Sequence, residues 1–343
     1  MDTARDISTT AASYIFNRHD VVATGWYWLM PSNELGRRTV RPANIFGYEL
    51  AVFRGEDGTV AALDAYCPHM GAHLAEGKVE GNQLRCFFHN WCFNASGVCT
   101  DIPCLNGKPP KRISNRAWAV QEHHGLIWIW LGEGEPTEPV PEPPELSGLD
   151  YEWSLGRHFT NNCHPNVVMV NAIDEQHFKT VHQLPGHILR MRTRPVTTSH
   201  IEFRNTGAVP ETNILGRLIK RFYKRSLTYN LDYWYGSNGT VCFGPDFLHF
   251  YLMFALRLTI DGKTEGYTIA FTKRRKGWLN GLLNCFILFV TKLAARYFSN
   301  GDNRVFQTIR FRFGVPIAAD RTVLTFLQHL DRQKPYFRAK EST

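Results

Sequence analysis

The sequence of 343 residues lacks an apolar run long enough to span a bilayer. Its most apolar segment, residues 282–290, contains Asn284 and is followed closely by Lys292. A transmembrane helix needs about 20 consecutive apolar residues. We therefore expect this segment to form a buried helix, and we expect no membrane insertion.

The sequence also lacks the uninterrupted apolar stretch of a secretory signal. Polar and charged residues interrupt the first thirty positions, among them Arg5, Asp6, Arg18, His19 and Asp20. Eight cysteines in a chain of this length do not describe a small secreted disulfide scaffold. We expect a protein of the reducing cytoplasm.

A Gly-x-Gly-x-x-Gly dinucleotide element is absent, as are internal repeats and low-complexity tracts. The composition, with 43% hydrophobic and 20% charged residues, is that of a folded globular protein. A net charge of +8 raises the question of nucleic acid or a membrane surface. We interpret the basic excess at 190–225 and 273–276 as a solvated face or a docking surface for an acidic protein. We expect no nucleic-acid binding.

The order of apolar runs and turn residues predicts two domains. Between residues 27 and 131, strand-like runs alternate with Gly and Asp turns, which predicts an all-β domain at 1–135 with an N-terminal extension. Residues 136–150 are rich in Pro and Glu, which predicts a surface linker. Residues 151–343 mix helical and strand periods, so we expect a second, α+β domain there.

Within the second domain the patterns predict an antiparallel sheet with helices laid on it. The predicted strands are 229–243, 247–258 and 267–272, the predicted helices are 165–182 and 278–298, and 323–330 is either a strand or a helix.

The first chemical cluster is C-P-H at 67–69 followed, after sixteen residues, by C-F-F-H at 86–89. Two thiolates on one iron and two imidazoles on the other hold a [2Fe–2S] cluster of raised potential. Zinc sites usually present their like ligands in close pairs, whereas here cysteine and histidine alternate. We predict such a cluster between two facing loops, with Cys67, His69, Cys86 and His89 as ligands.

The second cluster runs Asn171-x-x-Asp174-x-x-His177-x4-His182. On an ideal helix, an offset of five residues turns the second imidazole away from the first. Both imidazoles therefore bind one metal only if the helix is distorted or ends between them, and Pro185-Gly186 supplies an ending nearby. Two imidazoles and one carboxylate on one face of Fe(II) leave the other face open.

Together these clusters resemble the two signatures of the Rieske non-haem iron oxygenases, of the alpha-subunit type and monooxygenase branch. C-P-H-M-G at 67–71 and C-F-F-H-N-W at 86–91 look like the two Rieske loops, with Phe87 and Asn90 where the family usually has proline and glycine. The resemblance implies a Rieske [2Fe–2S] cluster, a mononuclear Fe(II), O₂ as co-substrate and a helix-grip-like second domain.

The resemblance also implies a third Fe(II) ligand, an aspartate on a helix near the C-terminus. Asp302 fits this role, and Asp320 and Asp331 are its competitors. In the family an aspartate at the position of Asp174 links a mononuclear-iron histidine to a Rieske histidine of a neighbouring subunit. We therefore expect a homotrimer, and we group Asn171 with Asp174 as catalytic.

The second half, at 163–169, 244–250 and 301–308, is similar to the Rieske hydroxylases of saxitoxin biosynthesis. That similarity implies hydroxylation of a small polycyclic molecule, such as a guanidinium alkaloid. The alternatives are an O- or N-demethylase, a steroid or aromatic hydroxylase and, last, an electron carrier. A separate ferredoxin or flavin reductase has to supply the electrons. The candidate substrate-binding residues are Tyr229, Asp232, Tyr233, Asp246 and Phe250.

Overall fold

The structure is a computed structural model that describes residues 15–182, 191–208, 226–245 and 247–339. Its strands are β1 (Val21–Ala23), β2 (Gly25–Pro31), β3 (Thr39–Ile45), β4 (Tyr48–Arg54), β5 (Val60–Asp64), β6 (Lys78–Glu80), β7 (Gln83–Arg85), β8 (Cys92–Phe93), β9 (Cys99–Asp101), β10 (Ala117–Trp118), β11 (Val120–His123), β12 (Leu126–Leu131), β13 (Tyr151–Asn161), β14 (Arg192–Pro195), β15 (His200–Ala208), β16 (Ser226–Trp234), β17 (Asn238–Pro245), β18 (Phe250–Leu258), β19 (Thr264–Lys273) and β20 (Pro335–Phe337). The described α-helices are α1 (Pro165–Asn171), α2 (Glu175–Thr180), α3 (Trp278–Thr308) and α4 (Arg321–Asp331).

The N-terminal part is all β, as predicted. Its three sheets have the strand orders β10-β5-β4-β3, β6-β7-β8-β9 and β11-β12-β2. Residues 55–59 join β4 to β5. Every residue of β12 is buried.

The C-terminal part is built on a seven-stranded antiparallel sheet of order β13-β19-β18-β17-β16-β15-β14. Consecutive strands from β14 to β19 are neighbours, and β13 closes the edge beside β19. Short chain connections between neighbouring antiparallel strands are the simplest way to build such a sheet. The α+β class that the sequence predicts is confirmed.

The two faces of this sheet carry different layers. Residues directly opposite each other on adjacent strands share a face, so Ser154, Ala270, Leu252, Val241 and Leu231 lie in one row. We call the face of this row the helix face. Lys292 of α3 contacts Ser154 there, and the neighbouring Tyr233 on the same face donates to the carbonyl of Met169 in α1.

The opposite face of the sheet packs on the N-terminal β part. His124 packs its ring edge-on against Phe271 of β19 at 4.8 Å, and Arg257 of β18 stacks over Trp28 of β2 at 3.7 Å. The Arg257 guanidinium also bonds Glu265 at 2.7 Å and the carbonyl of Leu29 at 2.8 Å. Because this buried cation is both paired and stacked, its burial joins the two parts without leaving a charge unsatisfied.

Three local predictions need correction. Residues 229–243 form two strands, since the chain turns at 235–237 between β16 and β17. Residues 165–182 form two short helices rather than one. Of the two alternatives predicted for 323–330, the structure has the helix, α4. The helix predicted at 278–298 continues to Thr308 and therefore includes Asp302.

The expectation that residues 282–290 are buried is wrong for much of the segment. Leu282 is 63% exposed and Phe286 is 62% exposed, whereas Asn284 is fully buried. Among the described residues α3 is the one helix long and apolar enough to cross a membrane, by length and composition alone. Only 28% of its most apolar stretch is buried.

Candidate metal centres

The two loops of the first centre are closed by the same pair of hydrogen bonds. In the first loop the amide of Cys67 donates to Ala72 at 2.9 Å, and the amide of Gly71 donates to Cys67 at 2.9 Å. In the second loop Cys86 donates to Trp91 at 2.9 Å, and Asn90 donates to Cys86 at 3.1 Å. The two loops are thus copies of one turn.

The turn explains one departure of the sequence from the family pattern. Its last residue adopts a left-handed backbone, with φ of 75° at Gly71 and 58° at Asn90. Glycine suits this conformation best, and asparagine is one of the few other residues that enter it readily. Asn90 therefore preserves the turn that the usual glycine makes.

Arg85, the residue before the second loop, anchors that loop from the sheet side. Its guanidinium donates to the carbonyl of Asn90 at 2.7 Å and pairs with Asp101 at 2.9 Å and Glu80 at 2.7 Å. Because the guanidinium is mostly buried and its donors are shared among three acceptors, it holds the loop in one position.

The four predicted ligands divide by residue type. Cys67 and Cys86 are buried in a core cluster of the N-terminal part, whereas His69 and His89 are exposed. The two imidazoles lie 4.6 Å apart between ring centroids, and His69 stacks on Trp91 at 4.3 Å. Such an arrangement suits a two-iron cluster with its thiolate iron inside and its imidazole iron at the surface.

Without a metal ion the buried thiol of Cys67 resists ionisation. Burial and, to a smaller extent, the adjacent Cys86 raise the pKa of the Cys67 thiol to about 11. Metal coordination deprotonates a thiol outright and reverses this preference. The donor set therefore fits iron ligation.

The second centre forms where α1 and α2 are interrupted. α1 ends at Asn171, and Asp174 begins α2 by accepting a hydrogen bond from the amide of Gln176 at 2.8 Å. α2 ends at Thr180, so His182 lies just beyond the helix. The helix therefore ends between the two histidines, as their spacing requires, and their Nε2 atoms lie 3.0 Å apart.

Asp302 of α3 completes a trio with these histidines. Its Oδ1 lies 3.0 Å from Nε2 of His177 and 3.1 Å from Nε2 of His182. Gly301 permits this approach, because a Cβ there would lie 3.3 Å from Cε1 of His182. Burial opposes ionisation of Asp302, but the two imidazoles outweigh it and lower its pKa below the ordinary value.

The trio has the geometry of a metal site rather than of a hydrogen-bonded cluster. Despite these short distances, Oδ1 of Asp302 is buried without a properly directed hydrogen-bond donor. Ligand atoms about 2.1 Å from an ion and about 90° apart are separated by roughly 3.0 Å. The three mutual distances match that facial arrangement, which is the ligand set of non-haem Fe(II).

Two predicted catalytic residues border the trio. The side-chain amide nitrogen of Asn171 lies 3.2 Å from Nε2 of His177. Asp174 is half-buried and caps α2, so one of its carboxylate oxygens already accepts a hydrogen bond from the amide of Gln176. The catalytic roles of both residues remain predictions.

Of the predicted substrate-binding residues, Tyr229 and Phe250 lie on the helix face. Tyr229 packs edge-on against Phe178 at 5.3 Å, and Phe178 in turn contacts the ring of His182 at 5.5 Å. Phe243 is the cross-strand partner of both Tyr229 and Phe250. These four residues, which we call the aromatic row, extend from the trio across β16, β17 and β18.

Phe178 and Phe243 were missed from the sequence. Phe178 directly follows His177, and this adjacency was the available signal for it. Phe243 pairs with residues of two other strands, so only the strand register reveals it.

Two other predicted substrate-binding residues already have structural partners and lie outside the aromatic row. Asp232 lies on the opposite face of the sheet, where its carboxylate is paired with Arg204 at 2.6 Å and bonded to His200 at 2.8 Å. Tyr233 is buried in the core, and its hydroxyl donates a hydrogen bond to the carbonyl oxygen of Met169. Asp246 lies outside the described residues.

Comparison with known proteins supports the first centre directly. Residues 25–117 match the Rieske [2Fe-2S] domain family. Cholesterol 7-desaturase nvd of Bombyx mori is 41% identical over 162 residues, which are 46% of this chain and 35% of that protein. A probable 3-ketosteroid-9-alpha-monooxygenase oxygenase component of Rhodococcus rhodochrous is 35% identical over 200 residues, 57% of this chain and 49% of that protein.

The chain spans between a third and a half of these two relatives. Solved structures match it over more of its length. Dicamba monooxygenase with non-heme iron and dicamba has a TM-score of 0.61 and 19% identity, covering 90% of this chain and 96% of that one. NdmB of Pseudomonas putida CBB5 has a TM-score of 0.66 and 16% identity, covering 89% of each chain. At these identities the likeness establishes the fold.

The left-handed position at Asn90 generates a first prediction. We expect Asn90→Gly to retain the iron–sulfur absorption of the wild type, because glycine adopts the same backbone. Asn90→Val introduces a β-branched residue at positive φ, at a cost of about 1–3 kcal/mol. We expect it to lower cluster occupancy, measured as iron and sulfide per chain. Equal occupancy in the two variants would contradict the role of the turn.

The trio generates a second prediction. We expect the purified protein to be red-brown with about three irons per chain, two in the cluster and one in the trio. Asp302→Ala should retain the colour and lose one iron, because two imidazoles alone hold the ion weakly. Asp320→Ala is the matched control and should retain all three. Unchanged iron in Asp302→Ala would refute the assignment.

Proposed function

We propose that this chain, a homologue of Rieske oxygenase alpha subunits with a Rieske [2Fe–2S] domain at residues 25–117, is the oxygenase component of a Rieske-type monooxygenase that oxidises a C–H bond of a steroid-like molecule. The observation that carries the proposal is the convergence of His177, His182 and Asp302 in the same chain as the Rieske domain. An electron carrier needs only the first of these two centres.

The residues of the two centres have separate tasks in this proposal. Cys67, His69, Cys86 and His89 would hold a cluster that stores one electron, and His177, His182 and Asp302 would hold Fe(II). Bound there, the iron would supply the activation of O₂ with the delivered electrons. Asn171, next to His177, is placed to donate a hydrogen bond to a group bound beside that histidine.

The architecture favours electron transfer between neighbouring chains. The N-terminal β part and the helices that carry the trio pack on opposite faces of the seven-stranded sheet, so the sheet separates the two centres within one chain. His69 and His89 are exposed, and Met70, Phe87 and Phe88 around them are 67%, 56% and 54% exposed. Exposed apolar side chains beside a redox centre are typical of a docking surface.

Asp174 is the proposed link across that interface. It is half-buried, lies three residues before His177 and carries a negative charge that attracts the imidazole N–H of a cluster ligand. Such a link requires a ring of subunits, and we propose the homotrimer that the sequence resemblance implies. The relatives are named as oxygenase components, which supports a separate reductase as the electron source.

An apolar substrate is supported by the walls of the site. The aromatic row offers ring faces and edges next to the trio, as expected of a pocket for a rigid hydrocarbon skeleton. A guanidinium alkaloid requires a carboxylate partner, but Asp232 and Glu202 are paired with arginines on the other face of the sheet. The relatives named for cholesterol and for 3-ketosteroids also support an apolar substrate. The likeness to dicamba monooxygenase and NdmB rests on the fold alone.

The substrate class generates a third prediction. We expect the protein, assayed with an NADH-dependent reductase, to oxidise a 3-ketosteroid or a sterol. The consumption of NADH and O₂ should match the formation of a product that has gained one oxygen or lost two hydrogens. Phe250→Ala should raise KM by about tenfold through lost apolar contact. Val315→Ala, an exposed position away from the row, should not change KM. Tight coupling with a guanidinium alkaloid and none with steroids would overturn the substrate class.

Asp174 generates a fourth prediction. Asparagine is as good a helix N-cap as aspartate, so Asp174→Asn removes the charge while it preserves α2. We expect both metals to be retained, the cluster to be reduced normally and turnover to fall by at least a hundredfold. Asp174→Ala, which also loses the cap, should lose trio iron as well. Single-turnover product formed at the wild-type rate in Asp174→Asn would exclude the bridging role.

A further inference from the structure

The long helix α3 is apolar on its outward face as well as on the face that packs on the sheet. Seven apolar side chains of the outward face are between 43% and 77% exposed: Trp278, Leu279, Leu282, Leu283, Phe286, Phe289 and Leu293. We call this set the α3 stripe. The inward face contains the buried Ile287 and Leu288 together with the fully buried polar residues Asn284 and Thr291. A soluble surface helix usually has a polar outward face.

The inward face is held to the sheet by polar contacts. Asn284 donates to Glu152 of β13 at 3.2 Å and accepts from Arg275 at 3.3 Å, and Lys292 donates to Ser154 of β13 at 3.0 Å. To cross a bilayer the helix would have to break these contacts and leave the sheet. The α3 stripe is therefore placed to enter a lipid surface sideways and not to span it.

The charge along the chain segment that carries the stripe has one sign. Residues 266–301 contain no Asp or Glu. They contain six basic residues: Lys273, Arg274, Arg275, Lys276, Lys292 and Arg296. Lys273, Arg274 and Lys276 are exposed before the helix begins, and Arg296 is exposed beyond the far end of the stripe. Arg274 has one acidic neighbour, Glu152, at 3.5 Å.

We propose that the α3 stripe docks this protein on the surface of an anionic lipid bilayer. The apolar side chains enter the boundary between headgroups and acyl chains, and the flanking lysines and arginines contact lipid phosphates. Trp278 lies at the end of the stripe, where an amphipathic ring favours the interface. Basic residues beside an apolar helix face are the combination that binds peripheral proteins to such membranes.

A second α3 helix fits the stripe less well. Both ends of the stripe are basic, so parallel or antiparallel pairing of two α3 helices would bring like charges together at both ends. A phospholipid surface supplies the negative charge that another α3 segment lacks. In a ring of subunits the stripe would instead meet a different surface of the neighbouring chain, and the oligomeric state of the stripe variant tests that arrangement. The inference stands on this surface alone and does not depend on the proposed substrate, although a bilayer is where a sterol-like molecule resides.

Vesicle sedimentation with the full-length, iron-loaded protein tests the proposal. We expect the protein to sediment with phosphatidylcholine vesicles that contain about 30% phosphatidylserine, because their negative surface potential attracts polybasic segments, and at least about tenfold less with pure phosphatidylcholine. Phe286→Glu should abolish binding. Val315→Glu, at a side chain that is 86% exposed outside the stripe, is the matched control and should bind as the wild type does.

Neutralising a basic residue beside the stripe measures the electrostatic contribution to vesicle binding. Lys276→Gln should weaken binding about fivefold, the factor that corresponds to about 1 kcal/mol for one basic residue near the surface, and high salt should remove this difference. Circular dichroism and iron content should be unchanged in Phe286→Glu, because its side chain faces solvent. Equal binding of Phe286→Glu and wild type would overturn the proposal. If the wild type does not bind vesicles and Phe286→Glu dissociates its oligomer, whether a dimer or the proposed trimer, the proposal is also overturned and the stripe is assigned to a second copy of the chain.

Discussion

The approach of Asp302 to His177 and His182 is the constraint on which most of the C-terminal structure depends. The carboxylate comes from the last turns of α3, whereas the imidazoles come from α2 and the residue after its end. Both elements must be fixed separately before the three atoms meet within about 3 Å. The cap at Asp174 fixes the start of α2, and the contacts of α3 with β13 fix the rotation of the long helix.

The seven-stranded sheet serves as a partition as well as a scaffold. Its helix face carries α1, α2, α3 and the aromatic row, and its other face carries the N-terminal β part and the charged cluster around Asp232. A strand alternates its side chains between the faces, so β16 sends Tyr229 to the trio and Asp232 away from it. The same alternation keeps the carboxylate–arginine pairs around Asp232 out of the apolar site.

Spacing along the chain predicts the parts of the site that lie within one loop or one helix turn. The cluster loops and the His177–His182 pair are of this kind, because the ligand type and the local backbone decide them. The faces of Asp232 and Tyr233 follow from the register of β16, which begins and ends at turns that the sequence does not mark clearly, such as 235–237. The rotation of α3 about its axis could not be predicted from the sequence either. A helical pattern reveals the apolar stripe but not which side of the helix faces the sheet.

The orientation of α3 follows from the same approach of Asp302 to the imidazoles. Asn284 and Asp302 are separated by eighteen residues, which are five complete helical turns, so both lie on the same face of the helix. Turning α3 by half a revolution would bury Phe286 and its neighbours but expose Ile287 and Leu288, so apolar burial alone does not choose between the two orientations. The same rotation would carry Asp302 away from the imidazoles and break the contact of Asn284 with Glu152. Asp302 and Asn284 therefore set the orientation of the helix, and the α3 stripe is left exposed.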